Sequence, residues 1–287
     1  MPVPSVPTAG RNTTGVHVEI RRWLVRFEAW LKKEAGQLER QPRIALLLRR
    51  HPGPVAFVKA RLSRDSVLGL ELTLGALVLV GFGWLFGGIA EDVVTGDPLT
   101  VFDRLLAGWF HAHAAAMPIR LMVGVSTAHD VLVMSVFAAA IALVLAWQRN
   151  WHWLLVLVLA VPGGMLVNGL TKLAFHRARP GLEPLLDLTS YSFPSGHVTG
   201  ATLTYGFLAA MVITGPHRWS RKLAVVLVAL ALVALVALSR MVLGAHYLSD
   251  VLAAFAQSVA WLTLCIVGTR TWSHFRGPVA DAGTHLR

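Results

Sequence analysis

The chain has 287 residues, 55% of them hydrophobic and only 14% charged, with a mean hydropathy of +0.60, which excludes an ordinary soluble domain and points to an all-α polytopic membrane protein. Lys and Arg outnumber Asp and Glu 26 to 15, an excess that suits either nucleic acid or anionic lipid until the charges are placed along the chain. The single cysteine, Cys265, lies in an apolar run, which excludes an intramolecular disulfide and reads as a small buried hydrophobe.

The first thirty residues hold no apolar run of signal-peptide type. Instead "IRRWLVRFEAWLKK" repeats Ile20, Trp23, Leu24, Phe27, Trp30 and Leu31 at helical spacing, with Arg21, Arg22, Arg26, Lys32 and Lys33 on other faces. That pattern predicts an interfacial helix on anionic lipid, within a basic cytoplasmic arm over 1–66. Crossing a bilayer takes about 20 mostly apolar residues. Six segments are candidates: 67–89, 128–147, 151–174, 198–214, 223–241 and 247–268. They define a six-helix transmembrane domain over 67–268, followed by a tail over 269–287. Between the first two, "PLTVFDRLLAGWFHAH" predicts a further amphipathic helix along the outer surface. "PGG" at 162–164 interrupts the third span, which a bundle interior tolerates where neighbours satisfy the freed carbonyls.

Six spans put both termini on one side, and twenty of the 26 basic residues fall on that side: in the arm, at Arg149, in the link holding Arg218, Arg221 and Lys222, and in the tail. The positive-inside rule makes that side cytoplasmic. The basic excess is therefore topological, with no nucleic-acid partner implied. Six cations face outward: Arg104, Arg120, Lys172, Arg177, Arg179 and Arg240.

Four of these six crowd the ends of spans three and five. Lys172 closes span three and "KLAFHRARP" continues through Arg177 and Arg179; Pro194, Ser195, Gly196 and His197 open span four; Ser239, Arg240, His246 and Asp250 join spans five and six. Ionisable groups at one membrane depth are functional candidates by default. A single cation at a helix end is explained by snorkelling; three, with two histidines, an aspartate and a Ser-Gly turn, are not. The cations, the Ser195 hydroxyl and the backbone N–H groups near Gly196 suit a tetrahedral oxyanion such as phosphate. His246 and Asp250, four apart, are predicted to share a helix face, so that the carboxylate takes one ring N–H and the other nitrogen is free to attack phosphorus. His197, at a helix start, can protonate the leaving oxygen from the opposite side and later accept a proton from water.

Arg177 suits either a second phosphate or the headgroup region. His111 and His113, two apart, point to different helix faces and read as surface histidines rather than metal ligands. His129 and Asp130 stand at the outer start of span two, where they could line a substrate entrance. Asn168 is expected to bond across the bundle.

Lysine, six residues, Arg-Pro; Pro-Ser-Gly-His; Ser-Arg, five residues, His, three residues, Asp: this ordered set resembles the three signatures of the type 2 phosphatidic acid phosphatase superfamily. The resemblance covers 172–250, and the span pattern extends it to 67–268. It implies that Lys172, Arg179, Arg240, Ser195 and Gly196 bind the phosphoryl group, with His197 the general acid, His246 the nucleophile and Asp250 its orienting partner. No metal or other cofactor is implied. The expectation is a metal-independent lipid phosphatase acting at the outer face of a bacterial inner membrane on undecaprenyl diphosphate, phosphatidic acid or phosphatidylglycerol phosphate. A phosphotransferase would use the same residues. An anion or lipid transporter could hold a basic cluster but has no use for the His246–Asp250 pair, and membrane spans disfavour a vanadium haloperoxidase.

Overall fold

The computed structural model describes residues 67–180 and 190–275; the expected arm over 1–66 and the end of the tail lie outside the described residues. Contacts group Leu70–Arg287 as one compact unit. Among its described residues the regular elements are all helical. They are α1 Val67–Thr95, α2 Pro98–Ala112, α3 Ile119–Ala128, α4 Val131–Trp147, α5 Trp151–Phe175, α6 Gly196–Thr214, α7 Trp219–Val242 and α8 Leu248–Phe275, with a 3-10 turn at Ala114–Ala116. α1, α5, α6, α7 and α8 are each long and apolar enough to cross a bilayer, and α3 with α4 passes the same test as a pair bent by 45°. The chain is thus an all-α, multi-pass membrane protein.

Two boundaries differ from the hydropathy pattern for local reasons. α1 outruns the apolar segment 67–89 because Glu91, Asp92 and Thr95 continue the helix past it; Gly96, at φ +81°, ends it, its N–H and that of Asp97 both donating to Asp92 O. α4 starts at Val131, where Asp130 Oδ1 accepts the Leu132 N–H at 3.0 Å and caps the helix. The turn at His129 and Asp130 separates it from α3, whose Gly, Ser and Thr residues dilute the apolar signal.

The "PGG" stretch does not interrupt α5, which runs through Pro162. Trp261 Nε1 donates to Leu159 O, just before the proline, at 3.2 Å. The two glycines admit neighbouring helices: a Cβ on Gly163 would stand 2.9 Å from Trp261 Cζ2, and one on Gly164 2.5 Å from Leu203 Cδ1.

α6 is the inner helix, packing against α4, α5, α7 and α8. Its Leu203 and Phe207 join Val156, Leu157, Ala160 and Cys265 in one cluster, while Val198 and Ala201 meet Val236, Val251 and Ala254 in another nearer the start of α6. Cys265 is a buried core residue, as its apolar context implied. α2 packs on α7 and α8. Leu106 and Phe110 meet Met122, Val242 and Leu243, Leu99 reaches a cluster with Ile89, Phe193 and Ala253, and Val101, Phe102, Leu105 and Trp109 remain exposed on its other side.

Candidate active site

The three motif segments meet where α5 and α7 end and α6 and α8 begin. Ser195, the residue before α6, donates its N–H to Asp250 O at 3.1 Å, which ties the starts of α6 and α8 together. Thr199 Oγ1 donates back to Ser195 O and accepts from Asn168 Nδ2, both at 2.9 Å. Asn168 therefore bonds across the bundle, as expected. The Ser195 hydroxyl is buried and makes no hydrogen bond among the described residues, and the first N–H groups of α6 have no acceptor inside their helix. A Cβ at Gly196 would lie 3.7 Å from Asn168 Oδ1, an ordinary contact, so protein packing alone does not require glycine there.

Each cation is held by protein oxygens. Lys172 Nζ donates to Tyr191 O at 2.5 Å. Arg179 donates to Ser190 O at 2.8 Å, Ser190 Oγ at 3.0 Å and Ala245 O at 2.7 Å, and burial lowers its pKa from the usual arginine value, with Asp250 opposing. Arg240 is only 2% exposed; its Nη1 donates to Ser126 Oγ on α3 and its buried Nε has no partner among the described residues. Lys172, Arg179 and Arg240 lie within electrostatic reach of one another.

His246 corrects one expectation. It does not share a helix face with Asp250, because it lies in the turn after Gly244, at φ +67°, and before α8 begins at Leu248. The two side chains meet because Asp250, in the first turn of α8, reaches back: its Oδ2 accepts the Tyr247 N–H at 2.9 Å and stands 3.5 Å from His246 Nδ1. That separation is an ion-pair distance, longer than a well-formed hydrogen bond. On the other side, Arg179 Nη1 is 3.4 Å from His246 Nε2. A guanidinium has only donors, so this contact assigns the lone pair to Nε2 and the proton to Nδ1, toward Asp250. Burial, the largest influence, brings the His246 pKa down to about 4; Asp250 opposes it, and Arg240 and Arg179 add to it. The imidazole is therefore neutral near neutral pH.

His197 occupies the second position of α6, with Nε2 3.9 Å from Asp130 Oδ2. It lies within electrostatic reach of both His246 and Arg240. Of the adjacent pair at the bend, Asp130 faces the site, whereas His129 bridges Val125 O and the Tyr205 hydroxyl, each at 2.8 Å. His111 and His113 are exposed, and His113 stacks on Trp109.

Arg177 is committed to protein carboxylates, not to a phosphate or a headgroup. Nη1 donates to Asp250 Oδ1 and to Ser249 Oγ, both at 2.6 Å, and Nη2 donates to Asp103 Oδ2 at 2.8 Å. The guanidinium lies 4.4 Å from the Tyr247 ring centroid. Burial pulls its pKa down, but Asp250 and Asp103 carry it above the usual value. Asp103, Ser126 and Ser249 lie outside the motif readings. Asp103 had a usable signal, since it falls on the same α2 stripe as Leu99, Leu106 and Phe110, where an acid is out of place on an amphipathic helix. Ser126 had none.

An all-helical membrane bundle with these three segments at one end defines a class, and residues 151–273, from α5 into α8, match the family model of the PAP2 superfamily. Over that stretch, less than half of its length, the chain is similar to the type 2 phosphatidic acid phosphatases. Over 111 residues it is 34% identical to phosphatidylglycerophosphatase B of Bacillus subtilis (strain 168); the match takes in 38% of the chain and spans about half, 54%, of that relative. Its fold is similar to the crystal structure of a transmembrane PAP2-type phosphatidylglycerolphosphate phosphatase from Bacillus subtilis, with a TM-score of 0.60 and 22% identity over 71% of this chain and 99% of that one.

Proposed function

We propose that the protein removes a phosphate from a lipid phosphate or diphosphate through a phosphohistidine at His246. In this reading Lys172, Arg179, Arg240, the Ser195 hydroxyl and the N–H groups at Gly196 bind the phosphoryl oxygens. His246 Nε2 forms a bond to phosphorus as the bond to the lipid oxygen breaks, and His197 gives that oxygen its proton. Water, losing a proton to His197, then displaces His246 and inorganic phosphate leaves. Asp250 holds the Nδ1 proton throughout and stabilises the imidazolium character that develops. Protein cations supply the charge stabilisation, so no metal takes part.

The observation that carries the reading is the orientation of His246: Nδ1 toward Asp250, Nε2 toward Arg179, with two buried donors, Ser195 Oγ and Arg240 Nε, that have no acceptor among the described residues. Similarity to the PAP2 superfamily supports the substrate class, with phosphatidylglycerol phosphate, phosphatidic acid and undecaprenyl diphosphate as candidates. The charge distribution supports cytoplasmic termini and a site at the outer face of a bacterial inner membrane, with anionic lipid as the partner of the basic arm over 1–66. Purified protein incubated with these three lipids in detergent should release inorganic phosphate, keep its activity in excess chelator and lose it to vanadate. No release from any of them, or release that stops with chelator and returns with a divalent ion, would overturn the reading.

A further inference from the structure

Asp103, Arg177 and Ser249 form a buried polar cluster that the motif roles leave unexplained. The Asp103 side chain is fully buried and that of Arg177 is 13% exposed. Asp103 Oδ1 accepts the Ser249 N–H at 2.9 Å; Oδ2 accepts from Arg177 Nη2 at 2.8 Å and from the Ser249 hydroxyl. Arg177 Nη1 then reaches Asp250 Oδ1 at 2.6 Å, and the other Asp250 oxygen faces His246. Four charged or titratable groups thus run in sequence from α2 to the imidazole: Asp103, Arg177, Asp250, His246.

Docking α2 does not call for this arrangement. Leu99, Leu106 and Phe110 already pack it against the bundle, and buried ion pairs contribute little net stability because desolvation offsets their attraction. The geometry has a more specific effect. An arginine facing a lone carboxylate tends to engage both oxygens with parallel N–H bonds. Such a fork on Asp250 would draw on Oδ2, the oxygen that His246 Nδ1 and the Tyr247 N–H share. With Nη2 turned to Asp103, Arg177 meets Asp250 through Nη1, and that bond goes to Oδ1.

We propose that Asp103 is a positioning residue for the phosphatase reaction: by dividing Arg177 between two carboxylates it reserves Asp250 Oδ2 for His246 and keeps the imidazole on its line of attack. This rests on His246 being the nucleophile. Among the described residues Asp103 bonds to Arg177 and Ser249 and to none of the proposed phosphate-binding cations, so its loss should slow the chemical step without weakening phosphate binding.

The test is Asp103→Asn, with Asp103→Ser as the alternate should the first not fold, assayed on phosphatidic acid in detergent micelles beside the native protein and His246→Ala. For a folded variant, kcat should fall about tenfold to a hundredfold, the range of other partners that orient a functional histidine from behind. KM and the vanadate inhibition constant should stay near native, and Asp103→Glu, which restores the carboxylate, should recover part of kcat. Native kcat in a folded variant would overturn the proposal, as would a loss accompanied by an equal weakening of vanadate inhibition, which would mark general damage to the site. A native protein that releases no phosphate would sink the phosphatase reading together with this one; an active native protein with an unaffected Asp103 variant would sink this one alone.

Discussion

The two histidines of the site differ in what surrounds them. The His246 side chain is 2% exposed, in a turn between helices, with Asp250 on one ring nitrogen and Arg179 on the other. That of His197 is 15% exposed in the first turn of α6, and its nearest carboxylate, Asp130, is 3.9 Å away with a side chain that is 52% exposed. The contrast matches what each role demands. A nucleophile needs a fixed lone pair on a neutral ring, which burial and flanking cations supply. A general acid must trade protons with water in every cycle, which a side chain still 15% exposed permits.

Removing the two rings is the strongest way to break this contrast. His246→Ala deletes the attacking atom and should lower kcat on the order of 10⁴–10⁶-fold with every substrate, the scale of losing a nucleophile. His197→Ala deletes only protonation of the leaving oxygen. It should cost about 10²–10⁴-fold with phosphatidic acid and much less with an aryl phosphate or a lipid diphosphate, whose leaving groups depart without help. Turnover of both folded variants across the three substrates checks this. Equal losses for His197→Ala across all three, or rescue of His246→Ala by the aryl phosphate, would reverse the two assignments.

Much of this contrast was legible in the chain. Lys172, Arg179, Ser195, His197, Arg240, His246 and Asp250 all reach one end of the bundle because hydropathy fixes the direction of each span, and direction alone decides which ends meet. What hydropathy does not carry is side-chain partnership. Arg177 looked like a phosphate or headgroup ligand because the partner that claims it, Asp103, lies 74 residues earlier on a helix outside the apolar spans. The His246–Asp250 pair was placed on one helix because a spacing of four suggests it; Gly244 and the start of α8 put a turn there instead. Proline and glycine at 162–164 read as a break because sequence rules cannot see that Trp261 and Leu203 fill the space the glycines leave.

Arg179 belongs to the His246 side of the site, and its removal should rank next. Arg179→Ala takes away a proposed phosphoryl ligand and the cation beside Nε2, so kcat/KM should fall about 10²–10³-fold, as for a lost oxyanion donor. Vanadate inhibition should weaken with it, unlike in the Asp103 variants. Native vanadate affinity in Arg179→Ala would remove it from the phosphoryl site.

The buried ring also leaves a mark on stability. His246 has a folded pKa of about 4, against about 6.5 for an unfolded histidine. The unfolded chain therefore takes up its proton first, so the stability tied to the neutral ring is fully present above about pH 6.5 and is lost as pH falls through about 4. His246→Gln, which cannot titrate, should lose less Tm than the native protein over that interval, measured without phosphate. Parallel Tm curves for the native protein and His246→Gln would mean that burial does not hold this ring neutral.

Asp130→Asn should give the smallest effect and test the open side of the site most sharply. Asp130 does two separable things: Oδ1 caps α4 through the Leu132 N–H at 3.0 Å, and Oδ2 faces His197 Nε2 at 3.9 Å. Asparagine caps helices about as well as aspartate, so the fold and α4 should be unchanged and only the charge beside His197 is lost. Water screens a half-exposed charge at that distance, and such pairs are worth about 0.2–1 kcal/mol, or up to roughly fivefold in rate. The loss should appear with phosphatidic acid, where His197 must hold and deliver a proton, and vanish with an aryl phosphate, where it need not. The ratio of the two turnover numbers, variant against native, isolates that difference from any change in protein quality. A loss as large as that of His197→Ala would make Asp130 an obligatory proton carrier and erase the contrast between a braced nucleophile and a loosely held acid; an equal loss on both substrates would place it in substrate binding instead.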